Sequence, residues 1–361
     1  MVKKRILSLF LIFILFCVSV PAHALDAPPS VTSKAAIIVD YDTGFMIYGK
    51  NPDARRAPAS MTKMMSLYSF FSRMDGAGIT LNTPVTISKS IASLSVKPGL
   101  SNVPLSEGEV QTVDTLIRAA CIVSANAAIV ALGSLVSGSE EAFVAAMNSD
   151  ASALGLDAEF RDPAGLDDYN SITPRSMAEL CRIIIREYPE ILNYTSLKTF
   201  TFKGRTYAAT NQLLDGLSGS YPGTDGLKTG YIGVAGYCLC ATSKREGRRV
   251  IAVTMGSTGT STRTSDGYAL LRYGFRNIEE IIEPIYGITA DFSSKNGVTT
   301  ATLKNVPNAF DAGVRWLSGG ETVMQLDRVR IDNGTRLSVG APQDGLELVI
   351  SVGPYNVLIR P

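Results

Sequence analysis

The sequence predicts an α+β protein in which one antiparallel sheet is packed between helices and a small β-rich domain follows. Three observations carry this reading. Two short strand-like runs stand near the start of the chain and three more, joined by tight turns, stand near residue 230; runs joined so closely pair antiparallel. Between them lies a long block with helix-period apolar stripes. Beyond about residue 285 strand runs alternate with the turn signals Asn296-Gly297, Gly319-Gly320 and Asn333-Gly334. The expected divisions are a signal peptide at 1–24, a large α+β domain at 25–284 and a small β-rich C-terminal domain at 285–361. A chain of 361 residues is long enough for both domains.

The first segment has the parts of a secretory signal: basic Val2-Lys3-Lys4-Arg5, an apolar run over residues 6–20, and the small-residue site Ala22-His23-Ala24. An uncleaved N-terminal anchor fits less well, because the apolar run is shorter than the ~20 residues of a span. Bulky Phe16 before Cys17 argues against lipid attachment there. Cleavage would remove His23, the only histidine of the chain. A mature protein without imidazole has no Ser-His-Asp triad, no Cys-His pair and no His-ligated metal. Its base must be Lys, Asp, Glu or Tyr, and neither a metal nor a cofactor is expected. A formal net charge of +1, with 19% charged residues and no basic block, gives no sign of nucleic-acid binding.

After the signal, Ala35-Ala36-Ile37-Ile38-Val39-Asp40 and Phe45-Met46-Ile47-Tyr48 read as two strands. A helix near Ser60 follows, then a polar stretch over about 82–109, then a helix ending near Val123 whose stripe is Val113, Leu116, Ile117, Ala120 and Cys121. Ser139 suits the cap of a helix through Ala145 to Leu154. Residues 175–188 form another helix candidate, ended by Pro189. Three strand runs come next, around Gly226 to Tyr231, Gly236 to Ala241 and Arg249 to Met255, and a last helix over 264–274 closes the region. Cys121, Cys181, Cys238 and Cys240 all lie in apolar stretches. An exported chain can oxidise such thiols, but buried free cysteines fit the pattern better.

Three polar stretches carry the chemistry. Ser60-Met61-Thr62-Lys63 puts a weak nucleophile and an amine one helical turn apart, on one face. Alone, this tetrapeptide occurs often by chance and reads first as an ordinary N-cap serine and a solvated surface lysine. Ser124-Ala125-Asn126 falls between two helices and Lys228-Thr229-Gly230 on a strand; this ordered set is the one found in serine β-lactamases and penicillin-binding proteins. With Asp162-Pro163-Ala164-Gly165-Leu166, the run from Tyr221 through Lys228-Thr229-Gly230-Tyr231, and Arg272-Tyr273-Gly274-Phe275, the chain resembles the serine D-alanyl-D-alanine carboxypeptidases over roughly residues 33–276.

That resemblance implies a β-lactamase-like, transpeptidase-like fold and a periplasmic enzyme. Its substrate would be a peptidoglycan stem peptide ending in D-Ala-D-Ala, and β-lactam antibiotics would inhibit it. It makes Ser60 the nucleophile, places the backbone N–H groups of Ser60 and Tyr231 around the oxyanion, and matches Arg263 to a family arginine near the substrate carboxylate. The residues support this independently. Without histidine, Lys63 is the near base; it must be neutral, and burial beside Lys228 would lower its pKa. Ser124 suits a proton relay to the leaving amine and Asn126 the orientation of Lys63. Lys228 and Thr229 suit the carboxylate, and Gly230 opens a strand edge to a substrate backbone.

Tyr231 stands where some relatives have His, and Thr210 where some have Arg; such changes bear on substrate preference. A β-lactamase reading lacks its deacylating Glu-x-x-Leu-Asn, because Glu190-Ile191-Leu192-Asn193 is another pattern. An endopeptidase would use the same fold and the same three stretches. A non-enzymatic wall-binding protein would have no need of Ser60, Lys63 and Lys228 together. The C-terminal Tyr355 to Pro361 is too short for an amphipathic membrane helix, so membrane association is not indicated there.

Overall fold

The computed structural model of the chain describes residues 27–306, 309–340, 345–352 and 355–361. The expected signal peptide, with His23, lies outside the described residues. Two strands, β1 (Ala35–Asp40) and β2 (Met46–Lys50), lead into a short 3-10 turn over Ala59–Thr62 and then α1 (Lys63–Met74). The helical block continues with α2 (Lys89–Ser95), α3 (Val113–Arg118), a π turn over Ala119–Val123, α4 (Asn126–Ser137), α5 (Glu140–Ala153), α6 (Pro174–Glu187) and α7 (Ile191–Thr195). Strands β3 (Thr224–Ile232), β4 (Gly236–Arg245) and β5 (Arg248–Ser257) follow, then α8 (Thr260–Ile282). Three small two-stranded sheets decorate the block.

The five strands form one antiparallel sheet in the order β2-β1-β5-β4-β3, which leaves β3 at an edge. Alternation along a strand sends successive side chains to opposite faces. Ile37 and Val39 therefore join Met177, Cys181 and Ile184 of α6 in one core, and Ala36 and Ile38 join Leu270 and Leu271 of α8 in the other. The sheet packed between helices is thus the architecture read from the sequence. Helix ends follow local chemistry: Ser139 Oγ accepts from the N–H of Ala142 at 3.1 Å to start α5, and Thr173 Oγ1 accepts from Ser176 at 3.1 Å to start α6, with Pro174 at its first position.

Several elements differ from the sequence reading. The last helix is longer than 264–274 at both ends, because the polar Thr260-Ser261-Thr262 turn is already helical and the helix runs on to Ile282. The polar stretch 82–109 contains α2, whose only strong signal is the Ser88 cap on Ile91 at 3.3 Å. Helix α4 begins at Asn126 itself, directly after the Ser124 bend, where no helix is expected from the sequence. All four described cysteines are buried and unpaired, as expected.

The C-terminal part is entirely β-structure. Strands β6 (Thr289–Lys295), β7 (Val298–Lys304), β8 (Phe310–Ser318), β9 (Glu321–Ile331), β10 (Arg336–Gly340), β11 (Leu346–Val352) and β12 (Tyr355–Ile359) form two sheets. One is ordered β6-β7-β10 and the other β9-β8-β11-β12, around buried Trp316, Phe310 and Leu348. This unit meets the large domain through Phe45 against Phe310, ring centroids 6.2 Å apart, and through Arg182. Arg182, 2% exposed, pairs with Glu179 at 2.6 Å and Asp311 at 3.2 Å and donates to the carbonyl oxygens of Tyr41 and Asp42.

Candidate active site

The three polar stretches converge. Ser60 sits in the 3-10 turn that runs into α1, half-buried, with Lys63 one turn on and wholly buried. Lys63 Nζ stands 3.0 Å from Ser60 Oγ, 2.7 Å from Asn126 Oδ1 and 2.7 Å from the Ala164 carbonyl oxygen. The last two atoms can only accept. In a neutral amine they take both N–H groups, which leaves the nitrogen lone pair facing the Ser60 hydroxyl. The arrangement is therefore built for a lysine that receives a proton from serine.

The electrostatics agree. Burial pushes the Lys63 pKa well below its ordinary value, and the Lys228 cation lowers it further, while Asp162 opposes both. Lys228, also buried, is itself lowered to about 8, first by desolvation. Its Nζ donates to the Thr229 carbonyl at 2.9 Å.

Backbone geometry holds these groups. Asn126 starts α4; its N–H donates to the Ser101 carbonyl at 3.0 Å and the next N–H, of Ala127, to Asn102 Oδ1 at 2.8 Å. Ser124 ends the π turn in the left-handed region, φ 66°, a conformation that costs energy in a non-glycine residue. Its Oγ is buried and makes no hydrogen bond within the described protein. Asp162 organises the loop that presents Ala164, its carboxylate accepting from the N–H groups of Ala164, Gly165, Leu166 and Asp167 at 2.7 to 2.9 Å and from Asn170.

Two glycines let backbones meet. A Cβ on Gly165, φ +81°, would lie 2.0 Å from the Ala59 carbonyl oxygen, and one on Gly230 would lie 2.7 Å from the Pro58 carbonyl oxygen and 3.1 Å from the Ser60 nitrogen. The space that Gly230 leaves is thus filled by the nucleophile's own turn, and not by substrate as expected from the sequence. The other half of that expectation stands, since β3 is the open edge of the sheet.

A cleft of about 510 Å³ runs along this edge, lined among others by Ser60, Ser124, Asn126, Thr229, Tyr231 and Arg263. No Asp or Glu lies among its described lining residues. Thr229 Oγ1 donates to Thr210 Oγ1 at 2.7 Å, and Arg263, buried, donates to the Thr210 carbonyl at 3.3 Å. Tyr231 is exposed at the rim and packs on Tyr237, centroids 4.4 Å apart. All nine residues expected from the sequence therefore gather at one cleft and its floor. Sequence reasoning missed Ala164, Asp162 and Asn102 as parts of the site, and it gave Thr210 only as a position bearing on substrate preference. Asp162-Pro163-Ala164-Gly165 was legible as a motif, but a backbone carbonyl that receives an amine leaves no side-chain signature.

A transpeptidase-like fold with a serine hydroxyl against a buried lysine defines a class, the serine hydrolases related to penicillin-binding proteins. A family model for D-alanyl-D-alanine carboxypeptidases matches residues 22–259, and the chain belongs to that family. It is 34% identical over 296 residues to the D-alanyl-D-alanine carboxypeptidase DacF of Bacillus subtilis, covering 78% of this chain and 73% of the relative. Among solved structures it is similar to penicillin-binding protein 5 from Haemophilus influenzae, at TM-score 0.67 and 25% identity over 92% of this chain and 96% of that one. It is also similar to penicillin-binding protein D2 from Listeria monocytogenes in its ampicillin-bound form, at TM-score 0.61 and 27% identity over 69% of this chain and all of that one.

Proposed function

We propose that this protein is an exported serine DD-carboxypeptidase that removes the terminal D-Ala from peptidoglycan stem pentapeptides through an acyl-enzyme on Ser60, and that β-lactams acylate the same serine. The single observation that carries this is the Lys63 amine, held by two acceptors with its lone pair toward Ser60 Oγ at 3.0 Å. Catalysis is assigned to residues 25–284, and 285–361 form a separate β-rich domain.

In this reading Lys63 takes the Ser60 proton as Oγ attacks the penultimate carbonyl. The N–H groups of Ser60 and Tyr231 receive the developing oxyanion; removing one such donor typically costs ~10²–10³ in rate. Ser124 Oγ, without a partner in the described protein, relays the proton held by Lys63 to the departing D-Ala amine, which leaves Ser124 a hydroxyl and returns Lys63 to its neutral form. Lys228, Thr229 and Arg263 receive the substrate carboxylate. Water then attacks the ester with Lys63 again as base, releasing the shortened peptide. A β-lactam enters the first half of this sequence. Because no described carboxylate lines the cleft to activate water, and Glu190 lies exposed beside α7, the penicilloyl ester is hydrolysed slowly, unlike in a class A β-lactamase.

Incubation with labelled penicillin, followed by peptide mapping, tests this. Retained label on the peptide containing Ser60, absent in Ser60→Ala, is expected; rapid turnover without retained label contradicts it.

A further inference from the structure

Two serines flank Lys63 at three-residue spacing, Ser60 before it and Ser66 after it. Ser66 stands one turn along α1 on the face that carries Lys63, and it is wholly buried. Its Oγ donates to the Pro163 carbonyl at 2.6 Å, while the Thr62 carbonyl and Met147 Sδ of α5 both lie at 3.5 Å. A hydroxyl has one proton, and the shortest of these contacts takes it. Lys63 thus holds the Ala164 carbonyl and Ser66 holds the carbonyl just before it.

The facing loop is shaped for this. A trans peptide group is planar, with its N–H and C=O pointing opposite ways. The N–H groups of Ala164 and Gly165 both turn to Asp162 Oδ1, at 2.7 Å each, so the carbonyls of Pro163 and Ala164 both turn away from it, toward α1. These two peptide groups are gripped from both sides, by one carboxylate behind and by Ser66 and Lys63 in front. Asn148 of α5 fixes the entry to the loop through the backbone of Phe160, at 2.9 and 2.7 Å.

The grip bears on the chemistry because two acceptors, Asn126 Oδ1 and the Ala164 carbonyl, fix the N–H groups of the Lys63 amine. Without the Ser66 hydroxyl, the Pro163–Ala164 peptide group keeps only its hold on Asp162, and its carbonyl is left buried without that donor. Rotation of that group carries the Ala164 carbonyl with it. The Lys63 lone pair then turns away from Ser60 Oγ.

We propose that Ser66 is a positioning residue for the reaction: its hydroxyl sets the Pro163-Ala164 segment so that the Ala164 carbonyl aims the Lys63 lone pair at Ser60. This rests on Lys63 acting as the base, the reading given under the proposed function. The test compares the wild type with Ser66→Ala and with Ser66→Thr, which keeps the hydroxyl. Measured for each are kcat and KM for D-Ala release from a stem pentapeptide, the rate of penicillin labelling of Ser60 against pH, and the thermal midpoint. In Ser66→Ala, kcat and the labelling rate are expected to fall about tenfold or more while KM changes less than about twofold, and Ser66→Thr is expected to stay within about threefold of the wild type. An acceptor on a charged amine favours the charged form, so a loosened Ala164 carbonyl lowers the Lys63 pKa and moves the acid limb to lower pH. The charged groups that bear on Lys63, Lys228 of β3 and Asp162 of the loop, are the same in all three proteins. A merely structural role lowers the thermal midpoint but leaves the limb and the labelling rate of the folded protein where they are, and that result overturns the proposal. Ser66→Thr behaving as Ser66→Ala, or a loss confined to KM, also overturns it. A wild type that takes no label and releases no D-Ala overturns the reading of Lys63 as base too, which tells the two failures apart.

Discussion

At the scale of residues, activity is expected to depend on the charge of two lysines. Lys63 must be neutral, and burial and Lys228 lower its pKa; Lys228 must be charged to hold a carboxylate, and its pKa is about 8. The sign follows directly. kcat/KM rises with pH as Lys63 loses its proton and falls above about pH 8 as Lys228 loses its own, a bell whose limbs report the free enzyme. Lys228→Gln removes the neighbouring cation, so the Lys63 limb is expected to move to higher pH while KM rises. Asn126→Asp keeps the shape but places a carboxylate 2.7 Å from Nζ. An opposite charge at that range raises a lysine pKa by about 1–3 units, so the acid limb is expected to shift upward and kcat/KM at pH 7 to fall about tenfold or more. A pH–rate profile of each variant checks both statements. These lysines were legible in the sequence because chemistry constrains side-chain type and order. With His23 expected to leave with the signal peptide, Lys63 was the leading candidate base near Ser60. The Ala164 carbonyl was not legible, since any residue supplies one.

At the scale of elements, the site depends on strand β3 lying against the turn that carries Ser60. Gly230→Ala would put a Cβ 2.7 Å from the Pro58 carbonyl oxygen and 3.1 Å from the Ser60 nitrogen. The strand or the turn must give way, at a cost of ~1–3 kcal/mol, and displacement of this order around a nucleophile costs ~10²-fold in rate. Slower acylation of Ser60 by penicillin, with the folded state retained by circular dichroism, is the expected result. The strands and the longer helices could be read from period and turn signals, as in Ile37 and Val39 against Ala36 and Ile38. Helices α2 and α4 could not. The first is short and its stripe weak; the second follows a strained serine, and its start at Asn126 is set by hydrogen bonds to Ser101 and Asn102 that only the folded chain brings near.

At the scale of the whole molecule, the β-rich domain is fastened by a buried charge cluster. Arg182 reaches from α6 to Asp311 of β8, and Arg328 of β9 also donates to Asp311, at 2.9 Å. Asp311→Ala leaves Arg182 buried with Glu179 as its remaining carboxylate. Breaking a buried pair typically costs 3–5 kcal/mol; here about 3 kcal/mol is expected, a fall of several degrees in the thermal midpoint. Hydrolysis of a short peptide is expected to be unchanged, because Asp311 is not among the residues lining the catalytic cleft. The composition beyond residue 285 announced a β domain, but which residues join it to the helices depends on contacts across more than a hundred positions, and sequence patterning carries no record of those.

The most direct test of the central claim is mass analysis of D-Ala released from a stem pentapeptide by the wild-type protein and by Ser60→Ala, with and without penicillin. One D-Ala per peptide is expected from the wild type, with release blocked by penicillin and reduced at least ~10⁴-fold in the variant. Full release by Ser60→Ala, or release that penicillin leaves untouched, would contradict the account.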